Sequence, residues 1–185
     1  CSQSRGLGDV YKRQLQDNTT ADNNTALGYQ ALKTNTTGHS NVALGANALD
    51  ANTTSSFNTA IGFQALTTND GANANSAVGY NALRLNTTGG NNVAVGYEAL
   101  LSNTTANNNT AVGVSCLYSN TADNNTAYGH SAMNSNTSGT QNTAMGGFAL
   151  DASTTADYSA AFGYHALGST TCLLYTSPSP RDWLQ

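Results

Sequence analysis

Proline, tryptophan, cysteine and charge are all scarce in this chain of 185 residues, and each shortage removes a class of explanation. There are two prolines, one tryptophan and three cysteines, and charged residues make up only 9%. Pro178, Pro180, Trp183, Cys1 and Cys172 all lie at the two ends. Between them only Cys116 remains, so residues 15–171 cannot form an internal disulfide and the redox compartment cannot be inferred. That stretch holds two basic residues, Lys33 and Arg84, against eight scattered acidic ones. Nucleic-acid binding needs clustered Lys or Arg to displace counterions, and no such cluster exists. No run of 18 apolar residues occurs, so no helical membrane contact is expected of this segment. Low charge with abundant Asn, Thr, Ser and Gly would fit disorder. The order of the residues argues against it.

A glycine returns at Gly28, Gly45, Gly62, Gly79, Gly96, Gly113, Gly129, Gly146 and Gly163. Seven of the eight intervals are 17 residues long, and that from Gly113 to Gly129 is 16. Around each glycine runs roughly the phrase N-T-A-φ-G-Y-x-A-L-x-x-N-T-T, where φ is a bulky apolar residue. Ala precedes the glycine by two in all nine units, and φ precedes it by one, from Leu27 to Phe162. A fixed period near 20 residues marks a solenoid whose coils cannot fold singly. Helix is disfavoured by the Thr, Asn and Gly content. The N-T-A-φ-G run alternates at period two, which means a strand. The expected fold is therefore all-β, a parallel β-solenoid of about nine 17-residue coils.

Alternation puts Asn, Ala and Gly on one strand face and Thr or Val with φ on the other. The simplest assignment turns the bulky face into the coil, opposed by a second wall: Leu32, Leu49, Leu66, Leu83, Leu100, Leu117, Met133, Leu150 and Leu167. The N-T-T stretch is expected to turn the chain, because Asn tolerates left-handed backbone and its side chain can bond nearby backbone. The missing residue of the 16-residue unit falls in that turn, between Leu117 and Asn125, where a change of length costs least. The small-residue face then forms a flat outer strip open to another chain. A thin coil has little interior to offset about 1–2 kcal/mol of backbone entropy per residue, which favours an oligomer. Stacking would also set equivalent Asn and Thr side chains above one another in bonded ladders.

The ends do not share the repeat. A DNA strand that encodes Ser4–Gln14 encodes, on its complement one base out of frame, Cys172–Arg181 and the start of an Asp codon. Ten consecutive codons agree in this way, and the string resembles a transposase mosaic-end sequencing adapter. Residues 1–14 and 172–185 are therefore read as translated adapter DNA, expected to be disordered and excluded from fold reasoning. Residues 15–171 are read as the repeat domain, cut at both ends from something longer.

The phrases N-T-A-L-G at Asn24–Gly28, N-V-A-L-G at Asn41–Gly45 and N-T-A-I-G at Asn58–Gly62 resemble the head repeats of YadA-like trimeric autotransporter adhesins. Similar repeats occur in bacteriophage tail fibres. The likeness covers residues 15–171, although these units are longer than the family's usual coil. It implies a left-handed β-roll, a homotrimer, and an extracellular place on an outer-membrane-anchored surface fibre or on a virion. The expected function is non-enzymatic: a segment that extends or presents an adhesive face toward a host surface glycan or an extracellular matrix protein. The alternatives are a phage tail-fibre shaft and, more remotely, an ice-binding solenoid suggested by pairs such as Thr36-Thr37 and Thr87-Thr88. Adjacent Thr residues on a strand point to opposite sides, which weakens the ice reading.

No cofactor, metal or catalytic residue is assigned. His39, His130 and His165 occupy different places in their coils and do not form a ladder. Cys116 replaces the Ala of an Ala-Leu pair and reads as a buried small residue. Asp22, Asp123 and Asp157 share one repeat position, but their coils are not adjacent and read as solvated turns rather than a calcium site. The acids are too isolated for paired-carboxylate glycan cleavage. The N-x-T triplets follow from the turn chemistry. The best candidate for recognition is the aromatic residue after the glycine: Tyr29, Phe63, Tyr80, Tyr97 and Tyr164. Exposed as a stripe these rings could stack on sugars, while the more economical reading packs them at a coil corner or between chains.

Overall fold

A computed structural model describes residues 13–168; the rest of both terminal segments, and with them the expected disorder, lie outside the described residues. Nine short strands follow one another: β1 (Thr25–Leu27), β2 (Val42–Leu44), β3 (Thr59–Ile61), β4 (Ser76–Val78), β5 (Val93–Val95), β6 (Thr110–Val112), β7 (Thr126–Tyr128), β8 (Thr143–Met145) and β9 (Ala160–Phe162). They form one parallel sheet in sequence order. The register is uniform: Ala43 faces Ala60, Ala60 faces Ala77, and Val112 faces Tyr128 across the short coil. The chain is a β-solenoid with about 17 residues per turn, and no helix occurs among the described residues.

Hydrogen bonding between coils is not confined to the strands. Leu49 N–H donates to Ala65 O at 3.1 Å on the opposite wall, and Gln64 N–H to Ala46 O at 3.0 Å beyond the glycine. At the N-T-T corner, Thr87 N–H donates to Thr104 O at 2.8 Å. Each coil is thus tied to its neighbour on every side, which is how short strands hold a stack.

The interior reverses one expectation. The middle Ala of each strand points inward, with Ala43, Ala60, Ala77 and Ala94 fully buried. The bulky φ residue points outward: Leu27 is 47% exposed, Ile61 36% and Met145 42%. The small face carrying Asn, Ala and Gly is therefore the inner lining and not an outer strip for a partner. Alternation had established which residues share a face but not which face is inside. Volume decides. The opposing wall supplies one large side chain per coil, and Leu49, Leu66, Leu83 and Leu100 are all fully buried as expected. A second large side chain from the strand would overfill so narrow a coil.

The remaining interior is amide. The Asn of the N-T-T corner is buried from Asn35 to Asn136, and none of these residues has a positive φ. Its expected left-handed conformation is therefore wrong, while its expected side-chain bond to nearby backbone is present, as from Asn52 Nδ2 to Ser55 O at 3.0 Å. Outside the shortened coil, each such Asn donates to the amide oxygen of its equivalent one coil earlier: Asn52 to Asn35 at 2.8 Å, Asn86 to Asn69 at 2.9 Å and Asn103 to Asn86 at 2.9 Å. A second buried column precedes the strands. Asn75 Oδ1 accepts from Asn92 N–H at 2.9 Å, and Asn75 Nδ2 donates to Gly89 O at 2.9 Å. These ladders satisfy polar groups that would otherwise be costly to bury. Thr residues also stack, but their hydroxyls reach the backbone of the next coil: Thr87 Oγ1 donates to Thr104 O at 2.9 Å.

Left-handed backbone falls elsewhere. It recurs two and four residues after each glycine, as at Asn81 (φ 56°) and Leu83 (φ 50°), and five before it, as at Ala74 (φ 58°). Bulky residues rarely adopt this region, and only an over-determined stack holds them there. The repeat glycine itself is required twice over. Gly79 has φ 140°, and a Cβ on it would lie 2.3 Å from the Gly96 carbonyl oxygen of the next coil.

Candidate functional site

Because each coil presents the same two outward strand residues, stacking turns them into continuous columns. One column is Thr25, Val42, Thr59, Ser76, Val93, Thr110, Thr126, Thr143 and Ala160. The other is Leu27, Leu44, Ile61, Val78, Val95, Val112, Tyr128, Met145 and Phe162. Every member is exposed or half-buried in the single chain. An apolar strip running the length of the sheet exceeds what isolated surface residues explain, and such patches mark interaction sites.

The aromatic positions do not behave as one stripe. Phe63, Tyr80 and Tyr97 lie in consecutive coils and stack face to face, with centroids 5.5 Å apart at 12° and then 5.1 Å apart at 8°. Stacking on one another occupies the faces that a sugar ring would need and leaves mainly edges to solvent. Glu98, beside the end of this stack, raises the Tyr97 hydroxyl above the ordinary phenol range. Tyr29 is separated from the stack by Ala46, and Tyr164 is separated from it by Val114, His130 and Gly147.

Tyr164 belongs to a different cluster, which the sequence reading missed. Phe148 stacks on His165 at 4.9 Å and 13°, and meets His130 edge-on at 4.9 Å and 70°. Tyr164 packs edge-on against both Phe148, at 5.9 Å, and His165, at 4.5 Å. The signal was the Phe148 substitution at a position that is Gln, Asn, Glu or Ser in the coils before it. His39 likewise meets Phe57 edge-on at 4.8 Å. The histidines are packing partners of aromatic rings. Among the described residues no three His, Cys, Asp or Glu side chains converge as a metal ion would need.

The turn acids have structural work. Asp123 Oδ1 accepts from Asn107 N–H at 2.6 Å, and Asp157 Oδ1 accepts from Thr140 N–H at 2.6 Å. Asn73 and Asn107 fill the same role in other coils, taking Ser56 N–H and Gly90 N–H. Asp123 and Asp157 therefore satisfy a backbone donor one coil earlier. Cys116 is fully buried, its Sγ 3.3 Å from Ala127 O, and burial pushes its thiol up to about 12. Reactive cysteines need the opposite shift.

Comparison with protein-family models, curated proteins and solved structures finds no match for this chain. Among the described residues no helix is long and apolar enough to cross a membrane.

Proposed function

We propose that this chain is a non-enzymatic segment of a trimeric surface fibre, of the kind that forms the head of a bacterial adhesin. Its observation is the outward apolar strip repeated in register on all nine strands. A partner that covers the strip coil by coil must carry the same spacing along its own axis. A globular protein would contact a few coils and leave the rest wet. A second and third copy of this chain match every coil, and β-branched and Leu side chains at one level meet those of the other copies. The copies thus use the bulky face, and the number three is the family expectation carried by the N-T-A-φ-G phrases.

A rod so assembled displays its remaining corners, including the Thr columns and the aromatic clusters, as the face offered to a host glycan or matrix protein. The ice-binding alternative loses support, because Thr36, Thr87 and Thr137 each donate their hydroxyl to the next coil and do not present it free. Sedimentation equilibrium of the purified chain tests the assembly: three copies are expected, and a monomer at tens of micromolar would end the reading. Binding of the same material to immobilised matrix proteins and a glycan array then tests the adhesive role against a pure spacer.

A further inference from the structure

The 16-residue coil disturbs the interior as well as the surface. In the regular coils two residues, usually both Thr, separate the corner Asn from the next position, as Thr104 and Thr105 separate Asn103 from Ala106, whereas Asn120-Thr121 runs directly into Ala122. Two buried amide atoms of the coil before it, Asn103 Oδ1 and Asn109 Nδ2, lose their forward partners at this step. In the preceding coils the Asn oxygen accepts from the next Asn, as Asn86 Oδ1 does from Asn103 at 2.9 Å. Here Asn120 Nδ2 keeps only the bond to its own corner carbonyl, Ala122 O at 2.7 Å, and does not reach Asn103. The second-column amide ordinarily donates to a carbonyl 14 residues on, as Asn92 Nδ2 does to Ala106 O at 2.9 Å. The carbonyl that would serve Asn109, that of Ala122, already receives Asn120 and Asn125. Asn103 Oδ1 and Asn109 Nδ2 are left buried without a hydrogen-bond partner among the described residues.

Neither amide can turn over to repair this. Asn103 Nδ2 is fixed by Asn86 Oδ1 at 2.9 Å and Ala106 O at 3.0 Å, and Asn109 Oδ1 accepts Asn125 N–H at 2.9 Å. The orphaned atoms are thus one acceptor and one donor by necessity. The same two atoms hydrogen-bond directly in two other coils, Asn75 Nδ2 to Asn69 Oδ1 at 3.5 Å and Asn125 Nδ2 to Asn120 Oδ1 at 3.1 Å, a bond that Asn109 and Asn103 do not make. We propose that Asn103 and Asn109 hold one internal water molecule at the shortened corner, donating to Asn103 Oδ1 and accepting from Asn109 Nδ2. Water has the right dual character, and buried waters typically bridge two to four polar groups left unsatisfied by the fold. An apolar filler would leave both atoms unpaired. The orphaned acceptor at Asn136, where Ser153 replaces the next Asn, has no donor orphaned beside it and lacks this two-point character.

Crystals of the full chain diffracting to about 1.5 Å, where bound solvent is well resolved, supply the first test. One ordered solvent peak within hydrogen-bond reach of both atoms is expected. No peak, with the two amides in direct contact, would overturn the proposal. In solution, the Asn109 side-chain NH2 should show a cross-relaxation peak to long-lived water, and its absence would count equally against the site. Inserting a threonine after Thr121 restores the regular corner and should abolish that peak as Asn103 and Asn120 pair. A peak that survives in the folded insertion variant would show that the shortened corner is not its cause.

Discussion

Two columns of large apolar residues run the length of this molecule, one nearly all Leu and the other mixed, and they are opposite in fate. Leu49, Leu66 and Leu83, four residues after the glycine, have no exposed surface, while Leu27 and Ile61, one residue before it, are 47% and 36% exposed. Hydrophobicity cannot tell them apart. What separates them is backbone: the buried column sits at φ near 50°, and the exposed one belongs to an extended strand whose inward position is taken by Ala. A thin solenoid has room for one such column. The second is left at the surface.

The repeat glycine lies between the two columns and sets their opposite directions, so its replacement should blur the comparison most. Gly79→Ala needs a positive φ at a residue with a Cβ and drives that Cβ to 2.3 Å from Gly96 O. The expected loss exceeds about 4 kcal/mol, among the largest for single substitutions. Circular dichroism should show partial loss of β signal at 25 °C, and a wild-type melting curve would refute the requirement. Next in size is the inner column itself. Leu83→Ala should cost about 2–5 kcal/mol through the cavity it leaves, read as a lowered urea midpoint. An unchanged midpoint would mean that the wall is not the core.

The outer column should respond in the reverse sense. Val95→Ala should change the stability of the isolated chain by only about 0.5 kcal/mol, the ordinary size for an exposed site. Val95→Lys should leave the coil folded while dissociating the proposed trimer on sedimentation. If instead the two Val95 variants destabilise the lone chain as strongly as Leu83→Ala, the contrast between the columns collapses.

Much of this was legible in the residues. The parallel stack, its register and the Leu wall follow from a 17-residue period and from alternation, which depend only on spacing. The orientation of the strand was not legible, because period two is symmetric between its faces. Nor was the role of Asn35 and its equivalents. Sequence offers Asn as a left-handed turn former, whereas stacking makes its amide a ladder unit worth burying. Leu83 at φ 50° illustrates the same limit, since no propensity predicts a leucine there. Among the recognition candidates, the equal spacing of Phe63, Tyr80 and Tyr97 was visible. Their mutual stacking, which covers their faces, appears only once consecutive coils lie close enough for ring contact.

The smallest expected effect lies where the inner wall ends. Asp50 directly follows Leu49, and burial raises its carboxyl above the ordinary value against the lowering influence of Lys33. For an acid this direction means that folding favours the protonated form. Its contribution is fully present below the unfolded value near 3.8 and is lost as pH rises through the higher folded value. At pH 7 the charged carboxylate therefore opposes folding. Asp50→Asn should raise the melting midpoint at neutral pH by a modest amount, because the site is partly solvated and solvent weakens the penalty. The gain should shrink as pH falls below the raised folded value, where the wild-type side chain is itself protonated. A gain independent of pH would assign the effect to amide hydrogen bonding with the neighbouring coil. A loss at pH 7 would mean that the Lys33 attraction outweighs desolvation at this edge.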